Sequence, residues 1–579
     1  MTSLTLKASL SLVILGLCAC SNNHSTKVIE EQVAEQSDPI TFMTNQIGFT
    51  TAQKKHVVLT NNGFDTFSVL NTDNGDTVLT GTQSKAQSWQ PTNDKLFRVI
   101  DVSKITAEGN YRIEIEGSTS VYDFVVKQNI YTPLHNAALK SFYYNRASSA
   151  ITSQFTEQFS RALGHPDMVV KVHSSASSDN LPAGSTIAAA KGWYDAGDYG
   201  KYVVNSGIAT YTMLSAFSHH KAFYLQQSTN IPESNDDIPD ILNEVKWNLD
   251  WLATMQAPDG GIFHKLTTKQ WPGIEMPEDD TRERFVIGKS TAASLNFAAT
   301  MSAASRIFSE NLNSDIEYQS WLSAAERAWQ WAVANPNVIY QQPDDIKSGE
   351  YGDSELKDEF SWAAIELYLA TKKTKYLQAF DKYSGSLTNP SWQNVSSLPY
   401  IAIVNSKDDV PDAVFQHTKT QLLSLANTYL EHYENSVFKV SMTTPDFVWG
   451  SNSVALNKAW ILAEAFKLSQ DNKFKVAALG SINYLLGQNP LAFSFITGFG
   501  AQSVKHPHHR VSEADNVLLP VPGMLAGGPQ PGKQDECDYL HDSPAETYID
   551  DWCSYATNEV AINWNAPLVY MLSFKLTYD

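Results

Sequence analysis

Between residues 40 and 128, apolar and polar side chains alternate over short stretches. Lys55 to Thr60, Leu96 to Val102, Tyr111 to Glu116 and Val121 to Val126 are rich in β-branched or aromatic residues and predict strands. Tyr111, Ile113 and Ile115 take turns with Arg112, Glu114 and Glu116, the period of two that buries one face of a sheet. Asn61-Asn62-Gly63 and Asn74-Gly75 supply turn chemistry between such runs. The segment reads as a small β-sandwich whose expected role is to support the rest of the chain. From about residue 133 the period lengthens. Ile241, Leu242, Val245, Leu249, Leu252 and Met255 recur at helical spacing, with Pro239 near the start and Pro258-Asp259-Gly260-Gly261 past the end. Similar amphipathic stretches run over 135–147, 202–225, 288–309, 317–333, 356–371, 413–433, 453–469, 472–486 and 557–577. Such a train of helices suits an α-toroid, although periodicity does not say whether the helices close into a ring.

The front end follows another pattern. Lys7 precedes an apolar run, Ala8 to Leu17, that is too short for a stable membrane span and reads as an export signal. It ends Leu17-Cys18-Ala19-Cys20-Ser21, which resembles a bacterial lipoprotein box with Cys20 as the lipidated residue; a plain secretory cut nearby is the other reading. By the same resemblance, Ser21 implies sorting to the outer membrane, on its periplasmic side or at the cell surface. Residues 21–38 are polar without apolar period and read as a flexible tether. The expected division is therefore 1–20 signal and lipobox, 21–38 tether, 39–130 sandwich and 131–579 helical domain, with membrane contact through the lipid alone.

Composition narrows the function. A net charge of −20 argues against nucleic-acid binding, which needs a basic face, and suits a neutral or cationic substrate. Aromatic residues, at 11%, are abundant enough to furnish a carbohydrate site as well as a core. Two of the four cysteines, Cys537 and Cys553, lie beyond the front end, and in an exported protein they form either a disulfide or a pair of reduced thiols. Neither has a Cys-x-x-Cys partner, so zinc is not expected there.

The chemistry concentrates in two segments. Gly192-Trp193-Tyr194-Asp195-Ala196-Gly197-Asp198-Tyr199-Gly200-Lys201-Tyr202 sets two carboxylates three residues apart around a small pair that permits a tight turn. Two such acids can hold one water and take its proton, while Trp193 and Tyr199 offer faces on which a sugar ring stacks. Near the C-terminus, Glu559 stands among Tyr548, Asp550, Trp552, Tyr555, Asn558 and Asn565, surroundings that can keep a carboxyl protonated. Glycoside hydrolysis needs this combination: an acid for the leaving oxygen and a base or nucleophile on the other face.

These segments carry a resemblance. Asp195-Ala196-Gly197-Asp198, the pattern from Tyr548 to Ala566, and the run from Ser494 to Arg510 with Pro507, His508 and Arg510 together resemble glycoside hydrolase family 9, over about residues 40–579. Gln502 departs from the Asn, Lys or Arg usual there. The resemblance implies an immunoglobulin-like domain followed by an all-α (α/α)6 barrel of twelve helices. It also implies inversion, with Glu559 as acid, Asp198 as base and Asp195 helping to hold the water. His508 and Arg510 are then expected to donate hydrogen bonds to sugar hydroxyls, and Tyr555 to line the cleft. Trp449 and Trp362 read either as stacking platforms or as core. His506-Pro507-His508-His509 is open to a metal-site reading too, but no carboxylate or cysteine accompanies it at a ligand spacing.

Ser348 to Asp353 followed by Asp358-Glu359 gathers oxygen ligands suited to a structural calcium, or caps a helix with acid. No cofactor is expected in the chemistry. The long polar stretch from Arg161 to Lys191 reads as either a wall at one end of the cleft or a surface insertion. The expected activity is hydrolysis of β-1,4-glucan, of endoglucanase type and on oligosaccharides. Phe142 to Arg146 and Gly192 to Gly207 also resemble a bacterial subgroup with exo-acting glucosidase and glucosaminidase activities, so an exo-β-D-glucosaminidase or cellobiase is the alternative. A non-catalytic glycan-binding lipoprotein would not need the three acids. The oligomeric state is left open by the sequence.

Overall fold

The structure, a computed structural model, describes residues 40–60, 64–311 and 315–579. Cys20, the signal, the tether and the Asn61-Asn62-Gly63 turn lie outside the described residues. Among those described, no helix is long and apolar enough to cross a membrane.

Eight strands build the sandwich. One sheet runs β1 (Phe42–Met43), β2 (His56–Thr60), β6 (Leu96–Asp101), β5 (Gln87–Ser88); the other runs β4 (Thr77–Thr82), β3 (Thr66–Asn71), β7 (Gly109–Ile115), β8 (Val121–Val126). The period-two pattern of β7 holds, since Tyr111, Ile113 and Ile115 are buried between the sheets with Val57, Leu59, Ile100 and Phe124. The first sheet is apolar on its other face as well: Val58, Phe97 and Trp89 join the core of the helical domain. Trp89 and Phe97 pack on Phe438 with ring centroids 5.1 and 4.9 Å apart. Polar links reinforce the seam, including Asn45 to Asn483 and Lys95 to Glu546, both 2.8 Å, and Lys575 to Gln53 at 2.7 Å.

Twelve helices of seven or more residues follow among the described residues: α1 (Thr132–Tyr144), α2 (Val203–His219), α3 (Asp240–Thr254), α4 (Thr291–Asn311), α5 (Asp315–Ala334), α6 (Lys357–Thr371), α7 (Thr374–Tyr383), α8 (Leu398–Val404), α9 (Asp412–Asn435), α10 (Ser451–Ser469), α11 (Asn472–Leu485) and α12 (Ile562–Tyr578). They alternate between two layers. Even-numbered helices are apolar on nearly every face and form the inner ring, α2 packing on α4, α4 on α6, α6 on α8, and α12 on both α10 and α2. Odd-numbered helices lie outside, each against an inner neighbour. This is the (α/α)6 barrel. The turn of α12 that enters the ring is pinned by Asn565, whose amide donates to Ala138 O, Ser141 Oγ and Gly523 O while its Oδ1 accepts from Leu525 N.

A third sheet, of order β10-β9-β13-β12-β11, lies among the loops: β9 (Val170–Val172), β10 (Thr186–Ile187), β11 (Lys201–Tyr202), β12 (Phe263–Thr267) and β13 (Phe285–Lys289). Two of its strands, β9 and β10, belong to the long polar stretch from Arg161 to Lys191.

Candidate active site

The turn Asp195-Ala196-Gly197-Asp198 immediately precedes β11 and the inner helix α2, and it is tied to both neighbouring loops. Asp195 N donates to Gly200 O, and Asp195 O accepts from Ile562 N at the start of α12, at 3.0 and 2.9 Å. Gly197 O accepts from Arg510 N at 3.2 Å and Arg510 Nη1 at 2.8 Å. Gly197 leaves no room for a side chain, since an added Cβ would stand 2.1 Å from His508 O. His508 N in turn donates to Asn558 O at 2.9 Å, next to Glu559. The three segments found in sequence therefore meet in one place. Asp550 helps join them by accepting from Lys505 N, His506 N and the Asn558 amide.

Asp195 and Asp198 are buried, and Glu559 is half-buried beside them. Asp195 Oδ1 accepts from Asn205 Nδ2 and Oδ2 from Tyr351 OH, each at 2.6 Å. Asp198 Oδ2 accepts from Gly200 N at 3.0 Å and Tyr202 OH at 2.9 Å. Burial and the charge of Asp198 push the Asp195 carboxyl up to about 8. Burial, then Asp198 and Asp195, raise Glu559 well above the usual carboxylate range, so it keeps its proton, while Arg510 and the Gly197 N–H oppose that shift. Glu559 Oε1 accepts from Gly197 N at 3.4 Å. Burial likewise lowers His508 below its ordinary value. Its Nδ1 lies 2.7 Å from Trp552 O, which can only accept, so Nδ1 carries the hydrogen and Nε2 is left as an acceptor. In the neutral ring His508 would therefore meet a sugar hydroxyl as an acceptor, whereas the expected donor role needs the protonated ring. Arg510 is largely engaged by backbone, Nε on Pro272 O and Nη1 on Gly197 O.

The aromatic residues divide. Trp449 and Tyr555 are 42% and 38% exposed, with ring centroids 5.7 Å apart, and Tyr555 lies 5.9 Å from His508. His508 stacks on Trp552 at 4.2 Å, and the Arg510 guanidinium sits between the rings of Trp552 and Trp271. This line of rings offers stacking surface. Three other aromatic residues predicted to bind sugar do not face solvent. Trp193 is buried against Phe142 with its indole N–H toward Glu244, Trp362 is buried against Tyr211, and Tyr199 donates to Glu275 O beneath the loops. Their size and apolar surface are spent on packing.

Tyr199 also lies under a clasp between the stretch 161–191 and a second loop, 268–283. Gly164 packs against Pro277, Ala162 N donates to Glu278, and His165 reaches Tyr194 OH at 2.8 Å and Asp280 at 3.2 Å. Asp167 is buried and pairs with Lys201 at 2.7 Å and Arg284 at 2.8 Å. The stretch is built into the site's margin and is not a loose surface insertion.

Cys537 and Cys553 form a disulfide ahead of the Glu559 segment. The calcium expectation at Asp358 and Glu359 is not met: among the described residues no three His, Cys, Asp or Glu side chains converge to hold a metal. Asp358 Oδ2 accepts from Val395 N, and Glu359 is buried, its carboxyl held protonated by burial beside Asp358 and Asp353. The histidine run is no metal site either, as His509 caps the short helix Arg510–Ala514 through Ser512. The structure adds roles that motif reading did not assign: Tyr351, Asn205 and Tyr202 as donors to the aspartates, and Trp271, with the already noted Trp552, beside Arg510. Tyr202 stood in the quoted motif, whereas nothing local marks Tyr351 for this role.

Comparison with known proteins agrees with this geometry. The pattern of glycosyl hydrolase family 9 matches residues 131–572, and that of the cellulase N-terminal ig-like domain matches residues 40–120. The chain is 38% identical over 550 residues to the xyloglucan-specific endo-beta-1,4-glucanase BoGH9A of Bacteroides ovatus, covering 91% of this chain and 92% of that protein. It is 30% identical over 607 residues to endoglucanase D of Acetivibrio thermocellus, covering 100% and 89%. The solved structure of a Bacteroides ovatus GH9 protein superposes with a TM-score of 0.87 at 37% identity, over 93% of this chain and 98% of that one. Glycoside hydrolases of this kind need no catalytic cofactor. The relatives favour β-1,4-glucan over glucosamine chains as substrate. An immunoglobulin-like domain seated on an (α/α)6 barrel, with three acids gathered where its loops converge, belongs to a glycoside hydrolase of family 9 that cleaves β-1,4-glucan.

Proposed function

We propose that the enzyme cleaves β-1,4-glucan chains internally and with inversion, Glu559 serving as general acid, Asp198 as general base and Asp195 as the second holder of the water. The observation that carries this is Glu559: a half-buried residue whose carboxyl is kept protonated by desolvation and by the two aspartates it faces. It protonates the glycosidic oxygen as the bond to the anomeric carbon breaks. A water on the other face attacks that carbon and gives its proton to Asp198. The products are a free 4-hydroxyl and a hemiacetal of inverted configuration, and solvent returns the proton from Asp198 to Glu559. Inversion requires about 6.5–9.5 Å between acid and base to seat the water. Tyr202 and Gly200 leave Asp198 Oδ1 free of their hydrogen bonds, as a base needs.

Trp449 and Tyr555 support binding of an extended chain, since both rings are exposed beside His508. The Bacteroides ovatus relative is named for xyloglucan, which makes that polymer the first to test alongside unbranched β-glucan and cello-oligosaccharides. We further infer export and lipid attachment at Cys20, on the strength of the Leu17 to Ser21 pattern.

The test is product analysis with protein lacking residues 1–20. Mixed short products from polymer, with the inverted anomer seen first by NMR, are expected. Stepwise monomer release from glucosamine oligosaccharides would overturn the substrate class. Glu559→Gln should lower kcat on unactivated glucan by about 10²–10⁴-fold, the usual worth of general-acid catalysis. Because the Glu559 carboxyl is raised, activity should fall as pH climbs through it, and that alkaline limb should vanish in the Gln variant.

A further inference from the structure

Strand β12 carries a lysine in a fully buried position. Lys265 stands across the strand pair from Tyr202 and is 0% exposed. Its Nζ donates to Gln342 Oε1 and Gly349 O at 2.7 Å and to Ser348 O at 3.4 Å. It also lies over the rings of Tyr202 and Tyr340, 5.6 and 5.4 Å from their centroids. All three acceptors are neutral oxygens, and no ion pair among the described residues includes Lys265. A cation buried without a carboxylate partner is costly, so its retention calls for a use.

Its contacts lead to the two aspartates. Tyr202, whose ring Lys265 covers, donates to Asp198 Oδ2 at 2.9 Å. Ser348 and Gly349, whose carbonyls Lys265 grips, sit just before Tyr351, which donates to Asp195 Oδ2 at 2.6 Å. His264 fixes the intervening Glu350 carbonyl at 3.0 Å and stacks flat on Tyr340 at 3.8 Å. The charged or titratable groups around Nζ are Asp198 from the catalytic turn, Glu350 from the loop before α6, Tyr202, Tyr340 and His264. Burial holds His264 at about 3 and raises both tyrosines, so these three stay neutral at working pH.

We propose that Lys265 is a positioning residue for the catalytic aspartates: an unpaired buried cation that favours negative charge on Asp198 and holds the backbone presenting Tyr351 to Asp195. The inference rests on the reading of Asp198 as general base. Desolvation lowers Lys265 to about 7, with Asp198 the first of the charges opposing that fall.

The test is the pH dependence of kcat/KM on soluble β-glucan for wild type and for Lys265→Met, Lys265→Gln and Lys265→Arg, beside melting curves. In the neutral variants the acidic limb should move up by about one pH unit, the scale of one lost charge at this depth. The alkaline limb, set by Glu559, should stay, and KM should change little. Lys265→Arg should restore the acidic limb. Neutral variants that melt like wild type with both limbs in place would overturn the proposal, as would an Arg variant displaced as far as Met. If the neutral variants fail to fold, ¹⁵N-lysine NMR of the protein with Lys265 intact decides. Asp198→Asn should lower the pH at which the Lys265 ammonium titrates, and indifference to that change refutes the coupling. A wild type silent on every β-glucan would instead refute Asp198's assigned reaction, while the NMR arm still reads the coupling.

Discussion

Gly197→Ala is the sharpest probe of how the site is assembled. The new methyl would meet His508 O at 2.1 Å and His508 C and Cδ2 at 3.1 Å. Backbone, unlike the end of a long side chain, cannot swing aside, so the two loops must part by about 1 Å to restore ordinary contact. The strain falls on a short chain of bonds: Gly197 O to Arg510 N at 3.2 Å, His508 N to Asn558 O at 2.9 Å, and Gly197 N to Glu559 Oε1 at 3.4 Å. Parting them widens the gap between the aspartates and Glu559. A misplacement of about 1 Å commonly costs about 100-fold in rate, or about 2.7 kcal/mol of barrier. Overpacking itself should cost about 1–3 kcal/mol of stability. The assay pairs kcat/KM on a soluble cello-oligosaccharide with a melting curve. A variant retaining a third or more of wild-type kcat/KM at wild-type melting temperature would refute the idea that this contact sets the spacing of acid and base.

Other outcomes follow from the same geometry. Tyr351→Phe removes the hydroxyl donor to Asp195 Oδ2, which raises the Asp195 carboxyl further; a roughly tenfold loss of kcat is expected from one hydrogen bond of about 1.4 kcal/mol, read from steady-state kinetics. Replacing both Cys537 and Cys553 by Ser opens a loop with a sequence separation of 16, and calorimetry should show a loss of about 3 kcal/mol with weakened activity from the loosened Glu559 segment. Trp449→Ala should raise KM for long substrates about tenfold without altering the melting temperature, because the ring is exposed. Trp362→Ala should do the reverse, costing about 3–5 kcal/mol of stability through a cavity beside Tyr211 while leaving KM unchanged in the folded fraction.

Much of this architecture is legible in the chain, for physical reasons. Long helices announce themselves by period, and the predicted stretches at 356–371, 453–469 and 472–486 coincide closely with α6, α10 and α11. The helices α7 and α8 were not anticipated, being only 10 and 7 residues long. The strand β12 is buried at every position, so it shows no alternation to read. The convergence of Asp195, Asp198 and Glu559 was legible because the motifs fix their neighbours. Their supporting shell was not: Tyr351 and Lys265 come from distant segments, and a single tyrosine or lysine carries no local mark of burial. Trp193 and Trp362 show the converse limit, since residue type alone does not separate a sugar platform from a core filler.

The clasp between 161–191 and 268–283 has a consequence for how such enzymes diverge. Gly164 against Pro277, Ala162 on Glu278 and His165 on Asp280 make each loop the other's template. Lengthening one alone would strand buried polar groups of its partner. Cleft length should therefore change by matched insertions and deletions, and loops exchanged between relatives should transplant as a pair or fail.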